Sequence, residues 1–360
     1  MARSFGVEEE FILADAESLT PVNVAHDVID HLLALRLPGT ITTEFLDCQI
    51  EYATGICTTA EQAVDELSAF RLALQSWAEP RGLVVVPSGT PFLTGNPRLT
   101  PAIERYQLIS DDVGILAGEH MVNGMHVHVG IDNAADRVRA VNIIRPWLPL
   151  LLGLSANSPF WQGTDTGFHS WRTVHQRRWT TNGIPPIYVD EHEHERMRKR
   201  MIGVGATRSY NTANWGVRVS ENLPTVELRI GDVQLTAATA VSLALVVRAL
   251  VDDGLRRADD EPPEVHHVLD AELWHAGRYG IENGVYNPLT REHADASKPV
   301  AHLLQLLAED YDGPVPAFVT DELATLAAGR DGATRQREAL AGGVEGLSAF
   351  YRDRMHEGAA

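Results

Sequence analysis

The stretch Gly124-Met-His-Val-His-Val-Gly-Ile131 sets His126 and His128 on alternate positions of an otherwise apolar run. Alternation of this kind is a strand signal, because side chains two apart point to the same face of a sheet. Met125, Val127, Val129 and Ile131 line one face, and both imidazoles line the other. The pattern recurs. In the segment around Val7 to Phe11, Glu8 and Glu10 share a face opposite Val7 and Phe11. Further on, Asp47, Gln49 and Glu51 oppose Leu46, Cys48, Ile50 and Tyr52, and Glu227 with Arg229 opposes Val226, Leu228 and Ile230. Glu9 falls on the apolar side and receives no role. Strands that are apolar on one side and charged on the other predict an antiparallel sheet with helices covering one face.

A face that is merely solvated mixes Thr, Ser, Lys and Gln, whereas these strands carry Glu, Asp, His and Arg, with no lysine. Carboxylates converging there repel each other by kcal/mol amounts unless cations sit among them. Excess carboxylate oxygen with some imidazole suits Mg²⁺ or Mn²⁺ better than structural zinc. Magnesium in such a setting serves phosphates, yet the chain has no G-x-x-x-x-G-K-[ST] loop, and its only lysines are Lys199 and Lys298. A bound triphosphate must therefore be held by metal ions and arginines.

A net charge of −19 argues against a nucleic-acid surface. Cys48 and Cys57 give no disulfide framework and lead to the expectation of a reducing, cytoplasmic setting. No signal peptide opens the chain, since Glu8 to Glu10 interrupt the first apolar run, and no apolar segment is long enough to span a bilayer. The 360 residues read as one large domain with a helical C-terminal part from about residue 260. Segment Ile41 to Gly55 reads as one strand, and a helix opens at Thr58 with the capping-box spacing Thr58-x-x-Glu61. Further helices are expected near Arg105 to Glu119, from Asn142 to Leu154 with a bend at the prolines, and from Thr236 to Arg257. Residues 157 to 212 are loop-rich and aromatic. The run Asp190-Glu-His-Glu-His-Glu-Arg196 reads as a solvated helix start rather than a metal site.

Three motifs in this order, Gly6-Val-Glu-Glu-Glu-Phe11, Gly124-Met-His-Val-His-Val-Gly130 and Thr225-Val-Glu-Leu-Arg-Ile-Gly-Asp232, resemble the type 2 glutamate–cysteine ligase family, also called carboxylate-amine ligases. Arg105-Tyr106-Gln107, Arg178-Trp179 before Gly183-Ile-Pro-Pro186, and Trp274 with Arg278-Tyr279-Gly280 extend the match, which runs from about residue 5 to residue 310.

The resemblance implies an α+β, glutamine synthetase-like fold: a curved antiparallel sheet with helices on its convex face and the active site on its concave face. It implies ATP-dependent amide formation between a small-molecule carboxylate and an amine, with glutamate and cysteine as the leading pair, ATP as co-substrate and Mg²⁺ (or Mn²⁺) as cofactor; homo-oligomerisation stays open. By motif, Glu10 and Glu51 hold the metal nearest the acceptor carboxylate, Glu8, His126 and Glu227 hold metal on the triphosphate, and Arg229 faces the transferring phosphoryl group. His128, Arg105, Arg178 and Trp179 are contacts to substrate or nucleotide. Two positions depart from the family pattern: Gly89-Thr90-Pro91-Phe92 lacks the histidine of a Gly-Thr-His-Pro-Phe turn, and Trp215-Gly216 replaces Trp-Asp. A metal-dependent hydrolase using His126 and His128 as zinc ligands, in the manner of amidohydrolase barrels, and a non-catalytic nucleotide or amino-acid binder are the rival readings.

Overall fold

The computed structural model describes residues 2–100, 104–207, 213–257, 264–311 and 313–357. The strands that build the site are β1 (Phe5–Asp15), β2 (Thr40–Thr43), β3 (Gln49–Ala53), β4 (Leu83–Val86), β5 (Met125–Gly130), β6 (Val217–Val219) and β7 (Thr225–Leu228). Among the described residues these seven form one open sheet in the order β6-β7-β5-β1-β3-β2, with β4 also pairing β1. All of these pairings are antiparallel. β1 is the central strand: it pairs β5 through Phe5 to Glu9, β3 through Glu8 to Ile12, and β4 through Ile12 to Asp15.

Helices Ala60–Ala78 and Ala237–Arg256 pack on the apolar face of β1, with Ala237–Arg256 also against β5. Val7, Phe11, Ile50, Tyr52, Val127 and Val226 meet Leu67, Phe70, Leu74, Val241 and Leu245 there in one continuous core. Each such buried side chain contributes roughly 1.5–3 kcal/mol relative to exposure. Glu9 lies on this apolar side, fully buried, where Arg71 grips both its oxygens at 2.9 and 2.5 Å and donates its remaining hydrogen bonds to the carbonyls of Gln234 and Leu235. Glu9 is therefore a structural carboxylate whose partner arrives on the covering helix. On the opposite face, Ile12 and Ala14 continue the row of Glu8 and Glu10 but belong to a second apolar cluster with Phe45, Val84, Val86 and Tyr351. The change from glutamate to apolar residues along one row of β1 marks where the open face ends.

Two expectations are corrected. Segment Ile41 to Gly55 is a hairpin, because the chain turns back between β2 and β3, with Gln49 N bonding Leu46 O at 2.8 Å. Asp47 lies in this turn, not on the charged face, and its buried carboxylate meets His26 Nδ1 at 2.8 Å. The first long helix is capped by Thr59, not Thr58: Thr59 Oγ1 accepts from Gln62 N at 3.2 Å, while Gln62 Oε1 accepts from Thr58 N at 3.3 Å. The prolines act as expected, with a short 3₁₀ turn at Arg145–Trp147 dividing helices Ala134–Ile144 and Leu148–Ser155. The Asp190 run starts helix Glu191–Gly203, with Asp190 accepting from Glu193 N at 2.7 Å. Residues 208–212 of the aromatic segment lie outside the described residues, as do 260–263 and 358–360 of the C-terminal part. No helix among the described residues is long and apolar enough to cross a membrane.

Candidate active site

Strand register places the charged side chains. Glu10 is paired with Glu51, Glu8 with His126, and Glu227 with His128 and, on its other side, Arg218. Together they line a cleft of about 610 Å³ on the open face, with Thr42, Glu44, Tyr106 and Arg229.

Two groups of ligand-bearing residues stand in this cleft. Glu10, Glu44 and Glu51 offer oxygens within 4.8 Å of one another, and so do the ligand atoms of Glu8, His128 and Glu227. His126 sits between them, its Nδ1 2.9 Å from Glu8 Oε2 and its Nε2 3.9 Å from Glu10 Oε1. Relative to the sequence expectation, His128 occupies the place beside Glu8 and Glu227, and His126 the bridging one. The reason is register: His128, not His126, faces Glu227 directly across β5 and β7.

The electrostatics of the two groups differ. Burial and the charges of Glu44, Glu8 and Glu10 push the Glu51 carboxyl well above the usual carboxylate range, against the hydrogen bond from Thr42. Burial opposes the charge of Glu8 as well, but hydrogen bonds to His126 and His128 outweigh it and hold its carboxyl well below that range. For Glu227, burial is outweighed by the guanidinium groups of Arg229 and Arg218. Arg218 donates to Glu227 from Nε at 2.7 Å and Nη2 at 3.1 Å, and Arg229 donates from Nη1 to Oε1 of the same carboxylate.

These residues fit divalent cations by an observation independent of pKa. The buried His128 has its Nδ1 held 2.8 Å from Thr225 Oγ1 and turns its Nε2 into the group, 3.0 Å from Glu8 Oε1. A ring fixed through one nitrogen, with the other turned toward carboxylates, is the usual state of a ligating imidazole.

A smaller cavity of about 110 Å³ opens beside Glu10 and Glu44, lined by Phe45, Tyr106, His120, Arg172, Trp179 and Arg229 among others. Trp179 donates from Nε1 to His120 Nδ1 at 3.0 Å, which anchors the indole in the wall. Arg178 instead turns to the rim, pairing with Glu119 and resting on the carbonyl of His175 at 3.3 Å. Arg105 is in the first turn of helix Glu104–Val113, and its side chain lies outside the described residues.

Sequence reading missed Glu44, Arg218 and Arg172. Glu44 follows β2 and reaches the site only because the chain turns there. Arg218 carried a usable signal, since Val217 and Val219 flank it as Val226 and Leu228 flank Glu227. Arg172 lies fully buried on helix Trp171–Gln176 and donates to the carbonyls of Ile230 and Arg229 at 3.2 Å each. Its Nη2 would lie 2.5 Å from a Cβ at position 124, which explains the glycine opening the His-x-His motif. Asp232, the last residue of the third motif, is structural: buried, it accepts from Asn157 N, Ser158 Oγ and Ser170 Oγ at 2.7 to 3.0 Å. A Cβ at Gly89 would lie 2.7 Å from its carboxyl carbon, so the Gly89-Thr90 turn packs directly on it without the histidine.

Residues 4–345 match the glutamate-cysteine ligase family 2 (GCS2). A protein of Rhodococcus jostii named "Putative glutamate--cysteine ligase 2-1" is 38% identical over 93% of this chain and 91% of its own length. A Saccharopolyspora erythraea protein named "Putative glutamate--cysteine ligase 2-2" is 37% identical over 94% and 89%. The fold is similar to the glutamate–cysteine ligase of Francisella tularensis crystallised with AMP, at a TM-score of 0.70 and 12% identity, covering 99% of this chain and 90% of that one. It is also similar to a bifunctional glutathione synthetase of Pasteurella multocida, at a TM-score of 0.71 and 14% identity, where 99% of this chain spans only 53% of the other. With its strand motifs, its open α+β sheet and this match over nearly its whole length, the chain belongs to glutamate–cysteine ligase family 2, whose members are ATP-dependent C–N ligases.

Proposed function

We propose that the protein joins a small carboxylate to an amine through an acyl phosphate formed from ATP, with glutamate and cysteine as the first pair to test. The observation that carries this reading is the pair of ligand groups, Glu10-Glu44-Glu51 and Glu8-His128-Glu227, facing one cleft with Arg229 beside the second. Both the acceptor carboxylate and the γ-phosphoryl group are anionic, so their repulsion must be cancelled before they meet. Mg²⁺ or Mn²⁺ held by these residues would neutralise the phosphates and polarise the transferring group.

The protein's own side chains do the rest. Arg229 presents a guanidinium at the cleft and stabilises charge on the phosphoryl oxygens in flight. Arg218 holds the Glu227 carboxylate so that Arg229 can turn from it toward phosphate. A further cleft of about 480 Å³, lined by Phe5, Ile56, Leu223 and Pro224 and reaching Glu8 and His128, suits an adenine ring with its phosphates directed at the Glu8 group. The small cavity walled by Phe45, Tyr106 and Trp179 suits the acceptor amino acid at the Glu10 group. Its aromatic walls keep water from an acyl phosphate that water would destroy. The zinc-hydrolase alternative is disfavoured because, although both histidines touch Glu8, neither ligand group of the cleft contains both, and each group is dominated by carboxylates.

The test is ADP release with Mg²⁺ present, scored with carboxylate and amine together and with each omitted. ADP formation only in the complete mixture is expected, and turnover that survives a chelator would refute the reading.

A further inference from the structure

Outside the concave cleft, helix His266–Tyr279 carries Glu272 and His275 three residues apart, hence on one face. The hairpin of Val285–Asn287 and Glu292–Ala294 brings His293 against that face. Ligand atoms of Glu272, His275 and His293 lie within 4.8 Å of one another. We propose that these three residues form a separate transition-metal site of the Zn²⁺ class, which clips the hairpin to the helix.

Four observations support it. Two imidazoles with one carboxylate are a zinc-type donor set, unlike the oxygen-rich groups of the cleft. His293 Nε2 lies 3.0 Å from Asn283 O, so that nitrogen carries the proton and Nδ1 turns its lone pair to Glu272 Oε2, 2.8 Å away. A lone pair and a carboxylate this close require a cation between them, either a proton or a metal ion; the outer N–H on a carbonyl is the arrangement that orients ligating histidines. His275 Nδ1 is buried with no hydrogen-bond partner, which a bridging proton between the other two residues leaves unexplained. Gly284 has φ +85°, and a Cβ there would lie 2.7 Å from His293 Nε2, so glycine is what lets the imidazole hold this position.

Ligand atoms sharing a tetrahedral zinc ion stand roughly 3.3 Å apart. The ligand atoms here, all within 4.8 Å of one another, would draw together to share such an ion. Two protein surfaces meet at the site, and the His293 side chain is 38% exposed, so an ion can enter from solvent. Three protein ligands leave one position to water.

The test is a Co²⁺ titration of the full chain in saturating Mg²⁺, read as the visible absorption of tetrahedral cobalt, beside melting curves with Zn²⁺. One equivalent of Co²⁺ should develop the spectrum in the wild type and in Glu51→Gln, and His275→Ala and His293→Asn should abolish it. Zn²⁺ should raise the melting temperature of the wild type and of neither histidine variant. Should a histidine variant fail to fold, Glu272→Gln, which keeps the side-chain shape, decides: loss of the spectrum supports the site. A spectrum that persists in these variants, that disappears in Glu51→Gln, or that never forms in the wild type would overturn the proposal.

Discussion

Glu10 and Glu51 face each other across paired antiparallel strands, and Glu44 joins them from the end of β2. Like charges directly opposite destabilise an antiparallel pair, so this corner of the sheet is held together at a cost that a bound divalent cation would relieve. Glu51→Gln should therefore melt no lower than the wild type without metal, lose the Mg²⁺-dependent rise in melting temperature, and lose roughly 10²-fold in turnover. Thermal melts with and without Mg²⁺, beside ADP release, read all three. Normal turnover with the metal-dependent rise intact would move the metal away from this group.

Arg229→Lys keeps the charge beside Glu227 but not the planar fork that binds two oxygens together. If Arg229 acts on the transferring phosphoryl group, kcat should fall by roughly 10²-fold while KM for ATP moves less. Should Arg229 serve only to balance Glu227, lysine would substitute in catalysis and the melting temperature alone would drop. Steady-state kinetics with a melting curve separates the two.

Arg71→Met leaves Glu9 buried without its partner and should destabilise the fold by about 3–5 kcal/mol, with activity per folded molecule unchanged. Adding Glu9→Leu should recover part of that loss, but not all, because the carbonyls of Gln234 and Leu235 still lose their donor. Urea unfolding of the single and double variants tests this. A double variant less stable than Arg71→Met alone would contradict it.

His120 is the acceptor for Trp179 and is pushed down to about 3 by burial and by the charges of Arg172, His175 and Arg178, from an ordinary 6.5. Above 6.5 the ring is neutral both folded and unfolded and gives no pH dependence. Below it, the unfolded chain takes up a proton that the folded ring refuses, so stability falls as pH drops through that window toward about 3. His120→Gln can still accept from Trp179 but does not titrate. Its melting temperature should fall less than the wild type's between neutral and acid pH; parallel curves would show that His120 does not carry this dependence.

A sulfoximine analogue of the carboxylate substrate should be phosphorylated in place and become a slow, tight inhibitor, since it mimics the tetrahedral species of amine attack. Inhibition that deepens with preincubation only when ATP is present is the expected result. AMP and pyrophosphate as products would instead establish an adenylate route.

Much of this was legible along the chain. Period-two alternation identified β1, β5 and β7 and the face on which Glu8, Glu10, His126, His128, Glu227 and Arg229 stand, because a strand has only two faces and the apolar side chains claim one of them. The same rule misled where the backbone leaves the strand. Asp47 kept the alternating phase on paper but sits in the turn after β2, and that turn carries Glu44 into the site instead. Glu9 broke the alternation without explanation until helix Ala60–Ala78 delivered Arg71 to it. Composition and local pattern determined which residue types face the cleft. Tertiary structure decided how they group: His128 stands with both Glu8 and Glu227, His126 lies between Glu8 and Glu10, Arg218 clamps Glu227, and Arg172 closes under Gly124. The physical reason is that alternation is a property of one strand, whereas distances between charges depend on register between strands and on what packs across them, and neither is written in any single segment.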